Sequence, residues 1–340
     1  VAEAAVVTEP GPKARAAAGR SRSPWLAFAL RRAVGLAGVL ITLVVGTFLM
    51  VKLMPGDPAQ ARLGANATPE QLAQTRQEMG LDQPVLTQFT DYVGGLLRGD
   101  LGESFQTGQP VGKMIGDGMP FTAQLALMAM VLVLVLSVPL GMAVAVACRG
   151  GRRRSLDTAF TSATAFAQAI PEYVLGTLLV ALFAVKLAWL PPSGAATLSA
   201  MVLPVLAVSI GPVCTLARIV RRETSAVLTM DYLRTARGRR LRGLRLYARH
   251  ALPNLLTSTL TVGGLILVGL LGGTVIVESV FAWPGVGLAS FKAIIARDYP
   301  VIQGMVLVIG LLAALLNLLV DVVLGLLDPR TLNAKAGNTA

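Results

Sequence analysis

The sequence predicts an all-α polytopic membrane protein with six transmembrane helices, and three observations carry that expectation. Hydrophobic residues make up 54% of the 340 residues and charged residues only 14%, against about 25% charged in soluble domains. Six stretches reach the roughly 20 apolar residues that a spanning helix needs. The cations are distributed unevenly: the net charge is +12, yet 22 of the 30 Lys and Arg fall on one side of the inferred spans. So apolar a composition excludes disorder for most of the chain. It also argues against a nucleic-acid binder, for which aromatics at 5% are too scarce.

Residues 1–24 carry Ala, Gly, Ser, Pro and Arg without an apolar period and read as a disordered tail. The run that follows is too long for a cleaved signal peptide. With its basic lead-in, the first spanning segment occupies 25–54, its apolar part running from Ala33 to Met54. The second runs from Phe121 to Ala147. The third, from Thr158 to Leu187, is interrupted in mid-span by Pro171 and Glu172. The fourth, from Leu198 to Ala217, contains Pro204 and Pro212. The fifth, from Leu255 to Phe281, is glycine-rich, and the sixth runs from Val301 to Leu327. Proline and glycine are tolerated in spans when neighbouring helices satisfy the freed backbone. Gly263-Gly264 and Gly272-Gly273 read as close helix packing.

Orientation follows from the cations. The segment 218–250 alone holds ten of them, and the positive-inside rule places it, with both termini, in the cytoplasm. An even number of spans agrees. Residues 55–120 then form an external module with eight acids and four bases. Two helices are expected in it. Thr68-Pro69-Glu70 opens one, with Thr68 as N-cap and Pro69 in the first turn, and Gln83-Pro84 opens the other. Residues 121–330 form a five-helix core that includes a cytoplasmic loop at 218–254, and 331–340 is a cytoplasmic tail. Trp283 and Tyr299 fit an outer interfacial belt; the Trp283-Pro284-Gly285 turn also fits a surface that reaches toward an external partner.

Catalytic chemistry finds no footing. The chain has one histidine, His250, and two cysteines, Cys148 and Cys214, too few for a structural zinc site. It has no phosphate-binding Gly-x-x-x-x-Gly-Lys-Ser/Thr loop. Ionisable residues inside spans are functional candidates, and Glu172 is the clearest. It either faces a transport pathway, where it meets an amino terminus or cationic side chain, or is protonated or hydrogen-bonded between helices. Gln168, one turn earlier, belongs to the same candidate pathway. Glu278 and Asp321 read as structural, the latter paired with an arginine of the cytoplasmic loops. An ion-coupled secondary transporter would show inverted repeats and several midplane acids; no repeat is evident.

The basic segment reads RRETSAVLTMDYLRTARGRRLRGLRLYARHALPN. Its leucines alternate with arginines at helical spacing, which fits two short amphipathic helices lying on anionic lipid. The order of its residues points elsewhere. Arg234-Thr235-Ala236, then Arg240, His250 and Leu252-Pro253 resemble the EAA loop of bacterial ABC importer permeases. DYLRTAR is similar to the peptide/nickel subgroup. The frame departs from that family at Arg240, where glycine is usual; Gly238 and Gly243 flank it. Further matches follow in order. They are Pro55-Gly56-Asp57-Pro58, Met79 to Pro84, Gly99 to Phe105, Glu278 to Gly287, Arg297 to Pro300, Asn317 to Asp321 and Leu327 to Arg330. Together they resemble the first permease subunit of dipeptide and oligopeptide importers.

That resemblance implies a type I ABC importer permease fold and an alternating-access subunit, itself non-catalytic, that moves di- or oligopeptides. A related solute such as nickel is the alternative within the family. No cofactor is implied in this chain; ATP and Mg belong to partner subunits. The implied partners are a homologous second permease subunit, two ATP-binding subunits, an external substrate-binding protein and membrane lipid. Coupling to the ATPase would fall to Asp231, Tyr232, Arg234, Thr235, Ala236, Arg237, Arg240, Leu252 and Pro253. Docking of the binding protein would fall to Asp82, Asp91, Asp100, Glu103, Trp283 and Pro284.

Overall fold

The computed structural model describes residues 24–54, 56–64, 66–232, 246–247 and 252–327. Every named element among them is helical; two short outer segments meet only in an isolated bridge between Glu103 and Pro110. Helix α1 (Pro24–Leu53) crosses first. The outer module follows, as α2 (Pro58–Leu63), α3 (Pro69–Glu78) and α4 (Val85–Leu97). The core consists of α5 (Val111–Ala147), α6 (Arg154–Ala169), α7 (Glu172–Leu179), α8 (Leu198–Val227), α9 (Leu252–Val280), α10 (Val286–Ala296) and α11 (Tyr299–Leu327). Among the described residues, five helices are long and apolar enough to span a membrane, and α6 with α7 and its continuation to Lys186, bent by 90°, makes up to six when the bent pair is counted as one span.

The break is local chemistry. The pyrrolidine of Pro171 disfavours the helical region for the residue before it, and Ile170 is extended at φ −73°, ψ 120°. Glu172 then opens α7, which passes into a π-helical turn over Val180–Lys186. The start of α3 was equally legible. Thr68 accepts from the Gln71 amide while the Gln71 side chain accepts from the Thr68 amide, a reciprocal cap that satisfies two free N–H groups.

The core forms around α5 and α8, which cross in intimate contact. Gly141 of α5 faces the α8 backbone so closely that a Cβ there would lie 2.5 Å from the Ala217 carbonyl oxygen. Leu125, Ala126 and Ala129 of α5 are buried against Leu203, Ala207 and Val208 of α8, with Val277, Phe281 and Trp283 closing the cluster. The two glycine pairs of α9 differ. Gly263 and Gly264 meet Met130 and Val320 at van der Waals range or closer, whereas Gly272 and Gly273 face open space. Close packing therefore holds only for the first pair.

Several expectations change. The second spanning helix begins at Val111 rather than Phe121. Helices α2 and α10 are additional. Trp283 and Tyr299 are not in a lipid-facing belt, being 0% and 2% exposed. The indole nitrogen of Trp283 donates to the Phe121 carbonyl at 2.9 Å, and a buried N–H needs such a partner. Asp321 pairs at 2.5 Å with Arg32, which lies in α1 and not in a loop.

Candidate functional site

Three regions carry the candidate residues. On the basic side, Asp231 and Tyr232 lie just beyond the turn that ends α8, and both are exposed. Arg234, Thr235, Ala236, Arg237, Arg240 and His250 lie outside the described residues. Leu252 is the first residue of α9, with Pro253 in its first turn. The two ends of the basic segment are brought together: Val227 and Leu228 are buried against Leu246 and Leu255, and Met142 and Val146 of α5 complete the patch. The loop therefore leaves and re-enters the helices at one apolar anchor beside α5.

The second region is a cavity of about 390 Å³ at the α6–α7 break. Gln168 and Glu172 both line it, with apolar walls from Ile170, Leu175, Val208, Pro212, Ile266 and Leu270. The kink positions them, placing Gln168 on the last turn of α6 and Glu172 on the first residue of α7. Sequence reasoning missed Arg218. It reaches across from α8 and donates to the Gln168 Oε1, while Arg221, one turn on, pairs with Asp157 at the start of α6. The local signal was a basic stripe at the inner end of the fourth span; the partners lie 50 and 64 residues away.

The third region is the face formed by α2, α3, α4 and α10. Asp82, Asp91, Asp100 and Glu103 are exposed there, and Asp100 accepts from the Gly102 amide at 2.8 Å. Pro284 is exposed, but Trp283 beside it is buried, so its ring anchors the turn and presents nothing outward. Two polar hubs hold this face. Buried Glu278 accepts from Thr122 at 2.8 Å, Thr274 at 3.0 Å and the Leu288 amide at 3.1 Å. It thereby caps α10 from another helix, as a carboxylate suits a helix N-terminus. Asp298, 3% exposed, accepts from Ser104 Oγ at 2.5 Å and the Phe105 amide at 3.0 Å. Lower on the module, the guanidinium of Arg76 hydrogen-bonds Asp57 at 2.5 and 2.9 Å and holds its carboxyl below the usual carboxylate range. Helix α4 docks on α1 through Phe48 against Phe89 and Tyr92.

This combination, a helical core with one broken span and an outer module clasped to it, has close relatives. Residues 137–333 match the family described as binding-protein-dependent transport system inner membrane component. Residues 25–126 match the N-terminal part of such a membrane component. The chain belongs to this family. A Brucella abortus (strain 2308) protein named for a peptide transport system permease is 36% identical over 312 residues, covering 89% of this chain and 98% of that one. The glutathione transport system permease protein GsiC of Salmonella typhimurium (strain LT2) is 36% identical over 304 residues, with the same coverage. A solved inward-facing structure of the MetNI methionine ABC transporter superposes with a TM-score of 0.54 at 16% identity, covering 63% of this chain and 96% of that chain. The fold is thus that of a type I ABC transporter permease, and the family is a transport component, not a catalytic subunit. In this permease the match to the main family region begins within α5 and takes in the cavity, the basic loop and the two hub carboxylates, Glu278 and Asp298, whose partners Thr122 and Ser104 fall in the N-terminal match.

Proposed function

We propose that this chain is a transmembrane subunit of an ATP-driven importer that carries di- or oligopeptides inward by alternating access. The observation that carries the reading is near-complete coverage: the chain spans 98% of a peptide-permease relative at 36% identity. It works with a homologous second permease subunit, two ATP-binding subunits and an external substrate-binding protein. ATP and Mg act on the ATP-binding subunits. The chain sits in the bacterial cytoplasmic membrane with both termini inside, in accord with the placement of its cations.

The basic loop between α8 and α9 receives the motor. Asp231, Tyr232, Arg234, Thr235, Ala236, Arg237, Arg240, Leu252 and Pro253 carry that contact, and the apolar anchor at Leu228, Leu246 and Leu255 delivers its displacement to α5 and α9. Gln168 and Glu172 line the pathway. The exposed acids Asp82, Asp91, Asp100 and Glu103, with Pro284, meet the binding protein. The test is co-expression with the ATPase, second permease and binding-protein subunits. Arg234→Glu combined with Arg237→Glu should abolish recovery of the ATPase with this chain and peptide uptake into proteoliposomes. Intact uptake by that double variant, or no ATPase recovered with the unaltered chain, rejects the reading.

A further inference from the structure

A cavity of about 360 Å³ lies between α1 and α11, with Arg31, Arg32 and Asp321 at one end and Val39 and Gly310 at the other. Two contacts bound it. Arg32 pairs with Asp321 at 2.5 Å at the charged end. At the apolar end α11 closes on α1: a Cβ on Gly310 would lie 2.6 Å from Leu43 Cδ2. Between these contacts the helices run antiparallel and each advances by eleven residues. That is about 16 Å, roughly half of the ~30 Å hydrocarbon thickness of a bilayer. Both helices lie at the outside of the fold, with Val34, Val39, Leu315 and Leu319 exposed. Gly35 has nothing within 4 Å of a built Cβ, so the groove is open beside it.

The chemistry of the walls changes in order along this length. At the mouth, two guanidiniums against one carboxylate leave a net charge of +1. Arg31 is exposed there, and a guanidinium offers several N–H donors in a fork that suits a phosphate. One turn deeper, Asn317 is half-buried on the cavity wall. Among the described residues its amide has no hydrogen-bond partner, which is costly for a polar group inside a spanning helix. Beyond it come Leu36, Val39, Ala313 and Gly310, which offer no polar side chain. Cation, then amide, then apolar wall is the order that complements a glycerophospholipid, with its phosphate, ester carbonyls and acyl chain. A free phosphate would meet only the first of these and a hydrocarbon only the last.

We propose that this groove is a binding site for an anionic glycerophospholipid. The phosphate sits at Arg31 and Arg32, an ester carbonyl accepts from the Asn317 amide, and one acyl chain follows the groove toward Gly310. The net charge of the mouth selects an anionic headgroup over a zwitterionic one, whose own cation it repels. The lipid fills the space where α1 and α11 part, and so fastens α1 to the core over a length that side chains leave open. The site is independent of which solute the permease carries.

The test is native mass spectrometry of the complete membrane complex in detergent, titrated with dioleoyl phosphatidylglycerol and dioleoyl phosphatidylcholine. These share chains and esters and differ in headgroup charge. Gly35→Leu, which fills the groove from its open side, should lower the number of bound lipids by one. At the site so defined, the unaltered complex should prefer phosphatidylglycerol by about tenfold. Arg31→Gln should bring that ratio toward one, while Arg31→Lys retains a preference. Asn317→Leu should weaken both lipids several-fold and leave the ratio unmoved, a pattern that a general loss of packing would not give. Glycerol 3-phosphate at the same concentration should displace neither lipid; displacement would mean a free phosphate site and overturn the proposal. Because only intact complexes are counted, a variant that fails to assemble does not enter the ratios. If the second permease subunit fills the groove instead, lipid number and preference are the same in the unaltered, Gly35→Leu and Arg31→Gln complexes, and the proposal is overturned.

Discussion

The α5–α8 crossing gives the sharpest quantitative prediction. A methyl group at Gly141 would sit 2.5 Å from the Ala217 carbonyl oxygen, 2.9 Å from the Arg221 amide nitrogen and 2.9 Å from the Val220 Cβ. Ordinary contacts are about 3.5–4.0 Å, so Gly141→Ala forces the helices apart by on the order of 1 Å. Two of the three atoms are backbone and cannot rotate away. Overpacking of this kind costs about 1–3 kcal/mol. Alanine's better helix propensity returns up to about 1 kcal/mol. Gly116 is the control on the same helix, exposed and with nothing within 4 Å of a built Cβ, so Gly116→Ala gains the propensity without the clash. With a net loss of about 1 kcal/mol, the apparent melting temperature of Gly141→Ala in detergent should fall by on the order of 2 °C. Gly116→Ala should match or slightly exceed the unaltered protein. If both variants melt together, α5 and α8 are not in backbone contact at this point and the reasoning fails.

Two further outcomes concern the outer module. Ser104→Ala removes the 2.5 Å bond to buried Asp298 at a cost of about 1–3 kcal/mol; protease cleavage within residues 99–110 should accelerate several-fold in right-side-out vesicles, and an unchanged rate would count against the clasp. Because Arg76 lowers the folded-state pKa of Asp57, the pair's contribution is fully present above the unfolded carboxylate value, 3.8, and is lost as pH falls through the folded value. Arg76 is about half exposed, which limits the pair to about 1 kcal/mol or less. A small melting difference between the unaltered protein and Arg76→Gln should therefore exist at pH 7 and shrink progressively as pH falls below 3.8 and through the folded-state value, and a difference that does not shrink in acid contradicts the assignment.

How much of this was legible in the sequence depended on the range of the interaction that determines it. The spans were legible because each is set by its own run of apolar residues. The start of α3 and the break at Pro171 were legible because one reciprocal cap and one pyrrolidine ring decide them within a few residues. Helix α10 was not. At 11 residues it is too short to register as a span, and its N-terminal cap comes from Glu278, ten residues before the amide it serves and on another helix. Trp283 looks like a belt residue at a span end until the Phe121 carbonyl, 162 positions away, turns its nitrogen inward. At the cavity, Glu172 was visible as a carboxylate in an apolar run. The bond from Arg218 to Gln168 was not, since Arg218 belongs by composition to the basic loop and only the packing of α6 against α8 carries it there.

The outer motifs, scattered over 240 residues of sequence, converge on one corner. Ser104 of Gly99–Phe105 bonds Asp298 of Arg297–Pro300. A Cβ on Gly56, in Pro55–Pro58, would lie 3.0 Å from the Tyr299 hydroxyl. Phe105 stacks edge-on against Tyr299 with ring centroids 6.4 Å apart. Glu278 of Glu278–Gly287 holds the opposite end of α10 to Thr122 of α5. Both ends of α10 are thus fixed by buried carboxylates, one facing the outer module and the other facing the helix that forms the core crossing with α8. Such hubs resist opening because removing a donor leaves a buried carboxyl group short of a hydrogen bond, which costs about 1–3 kcal/mol. The module is thus tied through Asp298 to the end of α10 and the start of α11, and α10 is tied through Glu278 to α5, whose C-terminal end contributes Met142 and Val146 to the apolar anchor of the basic loop. One continuous helix, α5, thus joins the outer hub to the inner anchor, which is the connection an importer needs if events on its two faces are to be coupled.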